Sequence, residues 1–237
     1  MKNNLENDVQ NLQKEIKELE YRQLCESTVV TVSNVWFVAL EYLRIFRHGF
    51  KESSFEWNAA AFGFLQKAMA TDVSDGCLHG PKALMQNWEL FSSYYGPKAL
   101  MQNWELFSSY FDDIHVELKS MTNTMDGSIL ATTSTTFTIS SDTLRLAFPH
   151  LNSDEHGGMY GGTWSPLAKR MEGQRLVMRG SVRFFWDSVT ERVVRILTWS
   201  DMLTPFCRVL GNLEDVSHVF DRALVTLDCR LLLMTPC

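Results

Sequence analysis

The chain has no surplus of basic residues. Its 22 Lys and Arg stand against 28 Asp and Glu, giving a formal net charge of −6. A free-standing nucleic-acid binder is usually basic, so these residues are not built to hold phosphates along their length. No apolar run approaches the length that spans a bilayer, and no secretory signal opens the chain. The five cysteines (Cys25, Cys77, Cys207, Cys229 and Cys237) are scattered and odd in number. Neither they nor the six histidines show the spacing of a metal site. They read as reduced thiols of a cytosolic or nuclear protein, with no metal and no cofactor expected.

Basic residues are also missing where one feature would want them. Leu5, Leu12 and Leu19 fall seven residues apart, with Val9 and Ile16 between them. That is a leucine-zipper seam, and a zipper joins chains. In a DNA reader a basic helix precedes the zipper, yet only Met1 to Asn4 stand ahead of the first leucine. The expectation is therefore a dimerising helix whose DNA-reading arm is absent from these residues.

With the leucines at d, Val9 and Ile16 fall at a, and β-branched residues at a favour two parallel strands. Asp8, Glu15 and Arg22 then occupy g, and Glu6, Gln13 and Glu20 occupy e. In a homodimer Glu15 would face the partner's Glu20, which is repulsive, so a heterodimer with a chain carrying basic e and g residues is favoured. The register ends where Gln23 and Glu26 meet it. An amphipathic helix lying on its own domain is the competing reading. The polar residues around the stripe, among them Asn4, Asn7, Gln10, Lys14 and Lys17, speak for a helix that is wet on most sides.

The rest of the chain is ample for a core, with 45% hydrophobic and 12% aromatic residues. We read residues 1–28 as a zipper helix and 29–237 as one domain. Ser33 is expected to cap a helix carrying Val35, Ala39, Tyr42, Leu43 and Phe46 inward, with Gly49 beyond its end. A further helix is expected over Phe55–Ala70. Gly80–Tyr95 and Gly96–Phe111 then repeat one another, identical except at the last position. Two copies make no solenoid. One domain has one slot for such a helix, and the second copy is expected to fill it because it runs directly into a strand at Ile114–Leu118. The first copy would dock outside.

Beyond residue 112 the period changes to two. Strands are expected over Ile114–Leu118 and Ile129–Ile139 around a turn at Asp126–Gly127, and over Leu176–Trp199 as a hairpin turning near Asp187–Arg192. Residues 152–166, with four glycines, are expected to be a flexible loop. Thr204-Pro205 starts a helix ending at Gly211, and Asn212 caps the last one. The layout is α+β, with helices packed on a curved antiparallel sheet.

The stretches ENDVQNLQKEIKELEYRQ, EYLRIFRHGF, NWELFSSYFDDIHVEL, QRLVMRGSVRFFWD and SDMLTPFCRVLGNLEDVSHVFD resemble basic-leucine-zipper (bZIP) proteins of oomycetes. In that family the bZIP segment is followed by a cone-shaped α+β domain similar to the nuclear-transport-factor-two-like or SnoaL-like fold. The resemblance implies a transcription regulator, located in the nucleus, or in the cytoplasm if the basic region is truly absent. It would act through Leu5, Val9, Leu12, Ile16 and Leu19, pair with another bZIP chain, and reach DNA only through that partner or through an upstream arm. No DNA-contacting residue and no membrane contact is expected.

An alternative belongs to another class. A cone-shaped domain can host an isomerase- or dehydratase-like reaction, or bind a small molecule in its pocket, and such chemistry needs a general base or an oxyanion donor in an apolar cavity. By residue type the pocket candidates are Tyr42, Asp112 and His115, with Asp113 and Asp201 behind them. Each has a plainer reading. Tyr42 lies at core spacing, His115 alternates outward, and the aspartates suit turns. Fold analogy is weak ground for function, so the expectation is that the chain is not an enzyme. The arginines at 175, 179, 183, 192 and 195 read as a solvated sheet face paired with Glu172, Asp187 and Glu191, against a second reading as a patch for nucleic acid or an acidic partner.

Overall fold

The computed structural model describes residues 9, 12, 15, 16 and 19, then residues 34–50, 55–74 and 96–231. Leu5, Ser33 and the first repeat copy, Gly80–Tyr95, lie outside the described residues.

Helix α1 (Val35–Ile45) is capped by Asn34, whose side chain accepts from the Trp36 N–H at 2.9 Å. The cap therefore sits one residue later than Ser33. An Asn oxygen reaches the orphan N–H of the second helical residue as well as a Ser would. The helix is buried on most sides, with Val38, Ala39, Tyr42, Leu43 and even Glu41 covered. Helix α2 (Phe55–Ala68) ends two residues sooner than its apolar spacing predicts, and strand β1 (Met69–Ser74) follows at once. Met69 continues the helical stripe after Leu65, so periodicity alone carries the helix too far. Its burial is instead spent in the sheet, where β1 runs parallel to β5.

Helix α3 (Pro97–Tyr110) is the second repeat copy. It begins at Gly96, whose φ of +87° and tight surroundings require glycine: a Cβ there would lie 2.6 Å from the Thr71 carbonyl oxygen. The Gly96 N–H donates to the Val73 carbonyl at 2.9 Å, which ties the start of α3 to β1. At its other end α3 passes through Phe111 into strand β2 (Asp112–Asn123).

Strands β2, β3 (Ile129–Thr138), β4 (Arg175–Asp187) and β5 (Arg192–Asp201) form an antiparallel meander, and the sheet order is β1-β5-β4-β3-β2. The expected antiparallel sheet thus gains a parallel edge strand. Alternation decides the faces: Ile129, Ala131 and Phe137 of β3, Leu176, Met178, Val182 and Phe184 of β4, and Ile196 of β5 point into the core.

Helix α4 (Ser141–Ala147) opens with a reciprocal capping box between Ser140 and Thr143. A 3-10 turn (Pro149–Leu151) and helix α5 (Pro166–Met171) flank the glycine-rich segment. That segment is internally bonded: the Asp154 carboxylate accepts from the backbone N–H groups of His156, Gly158 and Tyr160. Helix α6 (Leu203–Leu210) stops at Gly211, which takes the left-handed conformation. Asn212 then caps α7 (Leu213–Phe220) through a 2.7 Å bond from the Asp215 N–H. Phe148, Phe206 and Phe220 meet edge to face and tilted, at ring distances of 4.9 to 5.9 Å, and bind these last helices to α4.

Candidate functional site

Val9, Leu12, Glu15, Ile16 and Leu19 are in helical conformation. Val9, Leu12, Ile16 and Leu19 are 47%, 57%, 54% and 53% exposed. The large buried cluster of the domain draws on residues from Val38 to Val225 and takes nothing from this stripe. Four apolar side chains at a and d spacing therefore stand in water, a costly arrangement unless another surface covers them. Leu5 lies outside the described residues.

The residues singled out for a pocket have different neighbours from one another. Tyr42 sits inside a nest of rings. Its hydroxyl accepts from Trp104 Nε1–H at 2.9 Å, and its ring meets Phe46 at 4.9 Å and Phe184 at 5.5 Å. Trp104 lies flat on Phe46 at 4.8 Å, while Phe107, Phe111 and Phe137 continue the cluster. Tyr42 thus fills space and satisfies an indole N–H, as its core spacing indicates. His115 is half-buried against His48, with ring centres 5.1 Å apart, where the strand alternation had placed it in solvent. The neighbouring strand segment at Arg47 explains this, because its carbonyl accepts from the Val116 N–H at 2.7 Å and brings His48 over the strand. Asp113 holds a positive φ of 51° at the irregular start of β2, and its carboxylate accepts from Thr138 Oγ1 at 3.0 Å. Asp201 accepts from the Thr204 N–H and hydroxyl, which anchors the start of α6. A hollow of about 320 Å³ opens elsewhere, lined by Phe62, Gln66, Thr71, Gly96, Pro97 and Lys98, and shares no lining residue with these candidates.

The arginine-rich hairpin departs from its expected pairing. Arg183 reaches across β3 to the tip of the first hairpin, where it meets Asp126 at 2.8 Å and Ser128 Oγ at 2.7 Å. Hydrogen bonds from Thr124, then Ser128 and Arg183, hold the Asp126 carboxyl well below the usual carboxylate range. Asp187, expected as an arginine partner, is consumed by its own turn and accepts from the Val189 and Thr190 N–H groups. Arg192 donates to the Met69 carbonyl of β1 at 3.3 Å.

Two buried polar features escaped the sequence. Glu41 is 5% exposed and takes a two-point contact from Arg44, at 2.9 and 2.7 Å, with the guanidinium 5.9 Å from the Trp57 ring centre. It lies off the apolar stripe of α1, and only the near-complete burial of that helix covers it. His150 has neither ring nitrogen in a hydrogen bond of good geometry. Burial, then the nearby Arg222 charge, pull its pKa down. Burial, and then Asp228, push the Cys229 thiol up to about 12, so it is no ready nucleophile. Among the described residues no cluster of His, Cys, Asp or Glu could hold a metal ion. No described helix is long and apolar enough to cross a membrane.

A family model described as the C-terminal domain of BZIP transcription factor 1 matches residues 36–94. The match runs through α1, α2 and β1 and ends at Tyr94 in the first repeat copy, and it links the chain to bZIP transcription factors. Solved structures also match the chain. A SnoaL-like polyketide cyclase from Agrobacterium tumefaciens is 12% identical, with 75% of this chain and 98% of that one aligned and a TM-score of 0.44. TsrD from Streptomyces laurentii is 11% identical over 74% and 96% of the two chains, with a TM-score of 0.40. AclR from Streptomyces galilaeus, described as a candidate hydroxylase, is 15% identical over 82% and 83%, with a TM-score of 0.35. No curated protein matches the chain.

These neighbours correct one expectation. The expectation that the chain is not an enzyme is overturned, because structures that match it are described as a cyclase and a hydroxylase. At such identities they bring no substrate and no residue role with them.

Proposed function

We propose that this chain is a bZIP-type transcription regulator of the oomycete kind, acting in the nucleus by pairing through the helix that carries Leu5, Val9, Leu12, Ile16 and Leu19. Residues 1–28 would be the joining helix and residues 29–237 the domain behind it. The observation that carries the reading is the exposed stripe at Val9, Leu12, Ile16 and Leu19, ahead of a region matched by a bZIP C-terminal family model. Glu15 and Glu20 favour a heterodimer over a homodimer, since the same two positions repel in a symmetric pair. DNA is reached through the partner or through an arm ahead of the seam, because two basic arms are needed to straddle a full site.

The test is a mobility-shift titration with a bZIP protein whose e and g positions are basic, bound to its own DNA site. Adding this chain should change the DNA complex by forming a mixed pair. The same chain carrying Leu12→Glu and Ile16→Glu should leave the complex as it was. The proposal fails if the wild-type chain has no effect, and sedimentation shows it as a monomer both alone and in the mixture.

A further inference from the structure

The outer face of β4 and β5 joins arginines that form no ion pair among the described residues to exposed apolar side chains. Arg175, Val177 and Arg179 alternate along β4 onto one side and are all exposed. Trp199 of β5 stands opposite Ser181 in the ladder and so falls on the same side. Trp199 is 57% exposed and Val177 50%. Arg208 of α6 joins Val177 and Arg179 in lining a small notch of about 70 Å³.

These arginines differ from the others in how they are neutralised. Arg44, Arg145, Arg170, Arg183, Arg222 and Arg230 each form an ion pair. Arg175, Arg179 and Arg208 form none among the described residues. Asp201, which lies opposite Arg179, has both carboxylate oxygens engaged by Thr204, at 3.0 and 2.6 Å, and feels the Arg179 charge without forming an ion pair with it. In a chain of net charge −6, the guanidinium groups of Arg175, Arg179 and Arg208 outnumber the Asp201 carboxylate beside them and, around an exposed tryptophan and valine, form a site of opposite sign to the molecule that carries it.

We propose that this face docks an acidic peptide segment of a partner protein, one with a large apolar residue set among its carboxylates. Trp199 and Val177 would cover the apolar residue. The guanidinium groups would take the carboxylates in paired hydrogen bonds, the geometry that arginine fits best. Arg175 and Arg179 are about 13 Å apart along the strand, the span of four residues in an extended peptide. Single-stranded nucleic acid fits less well. It needs free aromatic faces for its bases, and the Phe185 ring is already approached by Arg183 at 5.0 Å and Arg195 at 5.6 Å. Trp199 alone is left to stack. The inference does not depend on the zipper reading.

Fluorescence anisotropy on the full chain tests it, using a labelled peptide of alternating Asp and Leu around one Phe. The peptide should bind, and more weakly as salt is raised. An Arg179→Glu/Arg208→Glu variant, and separately Trp199→Ser or Val177→Ser, should weaken binding about tenfold or more. All four positions are at the surface, so circular dichroism should stay unchanged, and Arg145→Glu, an exposed arginine outside this face, should bind as wild type. Four results would overturn the proposal: no binding, equal binding by every variant, tighter binding of oligothymidine than of the peptide, or a stable dimer that Trp199→Ser dissolves.

Discussion

Removing Gly96–Phe111 would leave the first repeat copy, with Tyr95 joined directly to Asp112, to fill the α3 slot. The copies differ at one residue, so the deletion amounts to placing Tyr where Phe111 stands. Phe111 is 1% exposed, and its ring packs against Phe107 at 5.0 Å and Phe137 at 4.7 Å. A tyrosine hydroxyl added there enters a nest of rings. Burying a hydroxyl without a partner costs about 1–3 kcal/mol on protein mutational scales. For a chain of this size about 2 kcal/mol lowers Tm by roughly 4–8 °C. Removing Gly80–Tyr95 instead keeps Phe111 in place and should leave Tm where it was. Thermal unfolding followed by circular dichroism compares the two deletions, and Phe111→Tyr in the intact chain should reproduce the loss. Equal Tm values for the two deletions would refute the reasoning. So would a Phe111→Tyr chain as stable as wild type, or a chain that unfolds when the first copy is removed.

Ile16→Glu should abolish pairing while leaving the domain's Tm unchanged; burying a half-exposed side chain of this size is worth on the order of 1 kcal/mol on each chain, and sedimentation and thermal unfolding read the two effects separately. Gly96→Ala should lower stability by about 1–3 kcal/mol, because φ is +87° and the new Cβ would press on the Thr71 carbonyl, and chemical denaturation measures it. His150 gives a pH signature: burial holds its folded pKa below the ordinary 6.5, so the unfolded chain binds more protons in mild acid. Its contribution to stability is present above pH 6.5 and is lost as pH falls through the folded value, and His150→Phe should flatten that part of the stability-against-pH curve.

Much of the meander was legible because its signals are local. Alternation placed Ala131, Phe137, Val182 and Phe184 on the buried face, and the turn chemistry of Asp126–Gly127 fixed the first hairpin. Gly211 and Asn212 marked a helix end and a helix start for reasons contained in their own side chains. What escaped is non-local. Strand β1 is built by pairing with β5, more than a hundred residues away, and no period in MATDVS distinguishes it from the tail of α2. Arg183 had acids close by in sequence, yet its partner Asp126 lies across β3 and becomes a neighbour only when the hairpins align. Glu41 lies off the apolar stripe of α1, and its burial depends on what α2 and the sheet place around that helix.

Among the described residues the stripe at Val9, Leu12, Ile16 and Leu19 takes no part in the buried core, and this bears on how the proposed pairing would work. The core closes on residues from Val38 onward, with Phe46, Phe64, Phe111, Phe137 and Phe184 fully buried and no contribution from Val9, Leu12, Ile16 or Leu19. On the proposed pairing, a partner would cover the stripe without opening a contact of that core. The reverse also follows. The described core does not use those four positions, so its folding does not account for their heptad spacing, which is what the proposed seam for another chain would need. Covering about half the surface of each side chain yields only modest affinity once the loss of rotational and translational freedom is set against it. On the proposed pairing, the charges at Glu15 and Glu20 would then weigh in the choice of partner, because a modest apolar seam leaves discrimination to the electrostatics beside it.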